Sequence, residues 1–171
     1  EQVKNLVLMK SKSADVGLSN WDAITSKVDE ASIVPFLAHY LFYKNSNRVA
    51  KRNIYRAFKD RMRTEFVTSL LNDLKACADV YSKIKSPSSS LGCSETLLDL
   101  SELGQEQVYV PLLAAGVRFG VASEEFSLIA DSILVFIVRH QVCSQSTNTL
   151  DGVFGSACEV IKDESKSAGD I

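Results

Sequence analysis

Apolar residues recur along almost the whole chain at three- and four-residue spacing, while period-two alternation between hairpin turn signals is nearly absent. The pattern predicts an all-α fold, a single irregular bundle of about seven to nine helices. A short helix is expected around Val3 to Met9, then a polar loop from Ser11 to Ser19, then a helix capped by Asn20 and carrying Trp21, Ile24 and Val28. Ser32 is placed to cap the next helix, with Phe36, Leu37, Tyr40 and Leu41 on one side. Pro35 is tolerated in its first turn, where no intrahelical acceptor needs the missing N–H. The Asn45-Ser46-Asn47 turn ends that helix.

The clearest periodic run is Glu65 to Lys85, where Phe66, Leu70, Leu74, Cys77, Tyr81 and Ile84 share one face. Beyond the Pro87-Ser88-Ser89-Ser90 loop, a brief helix from Ser94 should stop near Gly104. Another should begin close to Pro111 and end at Gly120. Ser123, Glu124 and Glu125 form a strong start signal, so the β-branched stretch Ile129 to Val142 is read as a buried helix rather than a strand. Thr147 is placed to cap a last helix bearing Leu150, Val153, Phe154, Ala157, Val160 and Ile161. Residues 1–162 are thus read as one helical domain and 163–171 as a frayed polar tail.

With 46% hydrophobic residues in 171, the chain is able to bury a core of its own. The longest candidate apolar run, Ile133 to Val138, is far short of the roughly 18 residues that span a bilayer, so no membrane partner is expected. The opening residues have neither a basic start nor a signal-peptide cleavage site and begin without Met. A cytoplasmic location, within a longer multidomain protein, is the expectation. Cys77, Cys93, Cys143 and Cys158 form no C-x-x-C pair, and His39 and His140 lie outside any zinc-like spacing. Reduced thiols, no metal site and no cofactor are expected.

Charge changes the picture locally. The stretch Lys44 to Arg63 holds eight basic residues against one acid, Asp60, leaving 11 of the 19 basic and 20 of the 21 acidic residues to the rest of the chain. On one helix, Arg48, Arg52, Arg56, Lys59 and Arg63 would fall within an arc of roughly 80°, with Ile54, Phe58, Met62 and Tyr55 in the adjoining arc, expected to anchor the helix to the core. Such a row suits phosphates, because each Lys or Arg that meets one releases counterions. It also suits a solvated helix face or ion pairing with the acidic remainder. Catalytic candidates are thin. His39 lies on an apolar helix, His140 completes a helix end, and Asp22, Asp29 and Glu30 read as surface carboxylates. No Walker loop, G-x-S-x-G or H-E-x-x-H is present.

The segments FIVRHQVCSQ and TNTLDGVF, with Phe136, Arg139, Val142, Thr147, Asn148, Leu150 and Phe154, resemble the helical region of the GmrSD-type restriction endonuclease family. The order of other segments is similar: Trp21 and Ile24, Phe36 to Tyr40, Ile54 to Lys59, Leu70 to Ile84 and Val110 to Gly116. The resemblance implies a bacterial anti-phage protein. In it, a ParB-like domain hydrolyses nucleotide, an HNH-type domain cuts DNA, and the helical region connects and scaffolds them as flanking partners, with DNA as a further contact. No catalytic residue carries over, because neither the Asp-Gly-Gln-Gln-Arg run nor a His-x-x-Pro start occurs here. Arg139, Thr147 and Asn148 are the matching polar positions, and as residues they read as a helix-end charge and a helix cap. The alternative is a protein-interaction adaptor without a nucleic-acid role.

Overall fold

The computed structural model describes residues 1–170, and the apolar periodicity is realised there as nine α-helices with no strand among the described residues. They are α1 (Gln2–Lys10), α2 (Ala14–Thr25), α3 (Ile33–Asn45), α4 (Ile54–Thr64), α5 (Val67–Lys85), α6 (Ser94–Glu102), α7 (Tyr109–Phe119), α8 (Glu124–Val142) and α9 (Leu150–Lys162). Short 3-10 turns at Lys51–Asn53, Glu106–Val108, Thr147–Thr149 and Ala168–Asp170 adjust their approach angles.

α7 is the axis of the bundle. Every residue from Tyr109 to Gly116 is buried, and the helix packs against α3, α5, α8 and α9 at once, which is why its sequence is apolar all round. α2 packs on α5 and α4 on α3, α1 lies against α2 and α4, and α6 lies against α5 and α8. One apolar cluster runs from Val3 to Ile161. Each fully buried Leu, Ile or Phe in it contributes about 1.5–3 kcal/mol relative to exposure.

The start and stop signals act as expected at several places. Ser123 Oγ accepts from Phe126 N at 3.0 Å and opens α8 as a helix rather than a strand, and Gly104 and Gly120 take positive φ after α6 and α7. Elsewhere the structure corrects the expectation. α2 begins well before Asn20, at Ala14, because Ser13 caps it. Gly17, expected in a loop, instead lets α2 approach α1: a Cβ there would lie 3.1 Å from the backbone of Leu8. Asn20 is interior to α2 and accepts a hydrogen bond from Lys75 Nζ. Ser32 makes no side-chain cap. Asp29 Oδ1 accepts from Ser32 N at 3.0 Å, and its hydrogen bonds with Ser32 hold that carboxyl below the ordinary range.

The helix expected from Glu65 starts at Val67. Glu65 and Phe66 are extended, so Phe66 stands outside the helical register and is 88% exposed rather than core. Ser146, not Thr147, supplies the cap before α9, accepting from Asn148 N at 3.4 Å at the head of the 3-10 turn. The tail also differs from its expectation. Arg118 donates to the carbonyls of Ile161 at 2.6 Å and Lys166 at 2.5 Å, and the turn at Ala168 packs against α8. Residue 171 of that tail lies outside the described residues.

Candidate functional site

α4 is strongly two-sided. Ile54, Phe58 and Met62 are buried at i, i+4 and i+8, while Arg56, Lys59 and Arg63 project from the opposite side. Arg52 joins them from the 3-10 turn that leads into the helix, and Lys51 precedes it there. Arg48 does not belong to this helix. The chain is non-helical there as it leaves α3, and Arg48 Nη1 pairs with Asp151 Oδ2 at 3.0 Å.

Three other cations of the basic stretch are also engaged. Lys44 reaches Asp73 at 2.9 Å, Arg61 reaches Glu65 at 2.5 Å and Asn45 at 3.3 Å, and Arg63 reaches Asp60 at 3.3 Å. Lys51, Arg52, Arg56 and Lys59 remain, all exposed and without an acidic partner among the described residues. The row of five expected from the sequence therefore becomes a shorter one, with Arg48 diverted, Arg63 paired and Lys51 added.

Two concavities border this face, with Lys51 on the wall of both. One is a cleft of about 410 Å³ whose lining includes His39, Phe42, Arg48, Glu106 and Asp151. Here the structure brings together residues far apart in sequence. His39 Nδ1 lies 3.1 Å from Tyr81 Oη, and its ring contacts those of Tyr81 and Tyr109. Burial, followed by the positive charges of Lys85, Arg48 and Lys51, pushes the imidazole down to about 4. Burial likewise pushes the Tyr81 hydroxyl up, so both groups are neutral at pH 7. Asp151 is committed to Arg48 through Oδ2, and its Oδ1 is buried without a hydrogen bond. Glu106 is 3.6 Å from Lys85. The residues lining this cleft include no serine, threonine or cysteine.

The second concavity is an apolar trough of about 320 Å³ between the start of α3 and the start of α4. Trp21, Leu37, Ile54 and Tyr55 are among its walls, and Lys51 and Arg52 border it. The helical spacing puts Trp21, Leu37, Ile54 and Tyr55 in or beside the core and gives no sign of their meeting the cations.

Arg139, Thr147 and Asn148 sit around the α8–α9 connection and line neither concavity. Arg139 is exposed, and its carbonyl accepts from Cys143 N at 3.0 Å to close α8. Thr147 and Asn148 are exposed members of the 3-10 turn. His140 Nε2 is 3.4 Å from Thr149 Oγ1. Compared with protein-family models, with curated proteins and with solved structures, the chain matches none.

Proposed function

We propose that this chain is a non-catalytic helical module that contacts DNA along the exposed edge formed by Lys51, Arg52, Arg56 and Lys59. The observation that carries this reading is that these four cations, in a chain of net charge -2, share one exposed edge without acidic partners among the described residues. Buried anchors hold the helix beneath them: Ile54, Phe58 and Met62 fix α4 to the core, so the charges are presented on a rigid element. Phosphates are the complementary partner, since each one met by Lys or Arg releases condensed counterions. The resemblance to the helical region of GmrSD-type restriction proteins supplies a setting. In it the module would hold ParB-like and HNH-type domains together while touching the DNA.

The test is fluorescence anisotropy of labelled DNA with the 171-residue chain across a salt series, beside the triple variant Arg52→Glu, Arg56→Glu, Lys59→Glu. Salt-sensitive binding that the variant loses supports the reading. Absence of binding at low salt overturns it.

A second reading, the protein-interaction adaptor, is favoured by a separate observation. α8 leaves Leu128, Val135, Val138 and Val142 exposed on the side away from its buried residues, an apolar face with no covering element among the described residues. Were that face the functional one, the triple variant would retain function and Val135→Glu would lose it.

A further inference from the structure

The edge that carries the free cations is not purely ionic. The trough beside it is walled by Trp21, Ile33, Val34, Leu37, Ile54 and Tyr55. Trp21 is 7% exposed, whereas Tyr55 at 37% and Val34 at 46% present apolar surface to solvent. Lys51 and Arg52 border the same trough and have no acidic partner among the described residues. Lys51 and Arg52 are the cationic side chains on the lining, so an anionic group entering the trough is directed toward them.

We infer that this trough receives an unpaired nucleobase of a nucleic-acid strand whose phosphates run along Lys51, Arg52, Arg56 and Lys59. The inference rests on the DNA-contact reading and deepens it by naming the form of nucleic acid preferred. A duplex keeps its bases stacked and presents mainly phosphates to such an edge, for which cations alone suffice. An unstacked base has an apolar face that seeks an aromatic or aliphatic wall, with its phosphate a short distance away. The cavity, about 320 Å³, lies at the low end of the roughly 300–1,000 Å³ of small-molecule sites, a size suited to one base rather than an extended ligand. From Arg52 to Lys59 the chain advances roughly 10 Å, which is about three phosphate spacings of a stacked strand.

A single apolar side chain of a protein partner would fill the trough but leave that row of cations unanswered. An anionic lipid surface would answer the cations. However, Ile54, Phe58 and Met62 are buried in the core, and the single exposed ring of Tyr55 is too little apolar surface for α4 to insert between lipids.

Trp21 is the chain's only tryptophan and lies in the trough wall, so its emission reports occupancy directly. The 171-residue chain is titrated with a short oligothymidylate, an abasic oligomer of the same length, a duplex and anionic lipid vesicles. The expected result is a Trp21 response to oligothymidylate, with binding at least about fivefold tighter than to the abasic oligomer. Tyr55→Ala should bring oligothymidylate binding down toward that of the abasic oligomer. Val34→Glu, at an exposed position of the wall, should remove the preference independently and without requiring Tyr55 for folding.

Equal affinity for oligothymidylate and the abasic oligomer with a silent Trp21 overturns the inference and leaves the DNA-contact reading standing. Failure of every nucleic acid to bind at low salt overturns both. A Trp21 response to vesicles without one to oligothymidylate makes the trough a lipid contact and overturns the inference.

Discussion

Arg48 and Asp151 form an ion pair of 3.0 Å that joins the loop after α3 to the first turn of α9. The pair withdraws Arg48 from the basic row in which its spacing places it. Its neighbours Arg52, Arg56 and Lys59 stay free, so charge reversal should have unequal effects. Arg52→Glu, Arg56→Glu or Lys59→Glu should each reduce the salt slope of DNA binding by about 0.7–0.9 for each phosphate left without its cation. Arg48→Ala should change that slope little and instead lower stability by up to about 1 kcal/mol, as expected for a pair whose arginine is largely exposed. An equal reduction of slope at Arg48 and Arg52 would show that Arg48 serves the same ligand.

His39 makes a second expectation, in pH. Its folded value is pushed down to about 4, from an ordinary 6.5, by burial first and then by Lys85, Arg48 and Lys51. The unfolded chain takes up the proton near 6.5 and the folded chain only near 4. The stability contributed by neutral His39 is therefore full above about 6.5 and is lost as pH falls toward 4. Asp29, Asp79 and Asp163, held below the ordinary carboxylate value of 3.8 by hydrogen bonds, act only beneath that window. Urea midpoints should fall between pH 7 and pH 5 in the wild type, and His39→Gln, which cannot titrate, should flatten the decline. Proton NMR should show the His39 ring still neutral at pH 5, and a ring that titrates near 6.5 would contradict the buried environment.

What is legible in the sequence is what local physics determines. The all-round apolar α7 and the Ser123 start of α8 are readable because each depends on residues within a few positions. Gly17 is ambiguous because the same residue marks a loop or a close helix crossing, and only the position of Leu8 decides which. Phe66 continues the apolar spacing of α5, but the extended backbone at Glu65 and Phe66 takes it out of register. The candidate site is half legible. The charge excess of Lys44 to Arg63 is a sequence property, whereas which of its cations are spent depends on Asp60, Glu65, Asp73 and Asp151, the last two distant in the chain from the cations they pair. The trough leaves no sequence signal, because Trp21, Leu37 and Tyr55 come to line one concavity only once α2, α3 and α4 have packed.

Gly155 offers a packing test with its own control. A Cβ on Gly155 would collide with the carbonyl oxygen of Ser46, at the left-handed end of α3 (φ 53). The obstacle is backbone, and Lys162 fixes it by donating to Tyr43 O at 2.6 Å and Ser46 Oγ at 3.0 Å. Gly155→Ala should destabilise the protein by about 2 kcal/mol, the scale of overpacking. Gly152, on the same helix, has nothing within 4 Å of an added Cβ. There alanine's better helix propensity should raise stability by up to about 1 kcal/mol. Urea midpoints moving in opposite directions at unchanged slope would confirm the close approach, and a stabilising Gly155→Ala would show that α9 does not press on Ser46.

Arg118 should decide whether the tail stays docked. Its two terminal nitrogens donate to Ile161 O at 2.6 Å and Lys166 O at 2.5 Å, one a carbonyl in the last turn of α9 and the other in the segment beyond it. The guanidinium also lies 4.5 Å from the Phe119 ring centre, which keeps its fork oriented. Hydrogen bonds from a charged donor contribute about 1.5–3 kcal/mol each, but this contribution acts locally, on residues 163–170, because the helices beneath have their own core. Arg118→Ala should therefore speed tryptic cleavage after Lys162 and Lys166 and amide exchange in that segment, with little change in the global unfolding midpoint. Arg118→Lys, a point donor without the fork, should fall between the two. Cleavage at the wild-type rate in Arg118→Ala would mean that the packing of Ala168 against α8 holds the segment without the arginine.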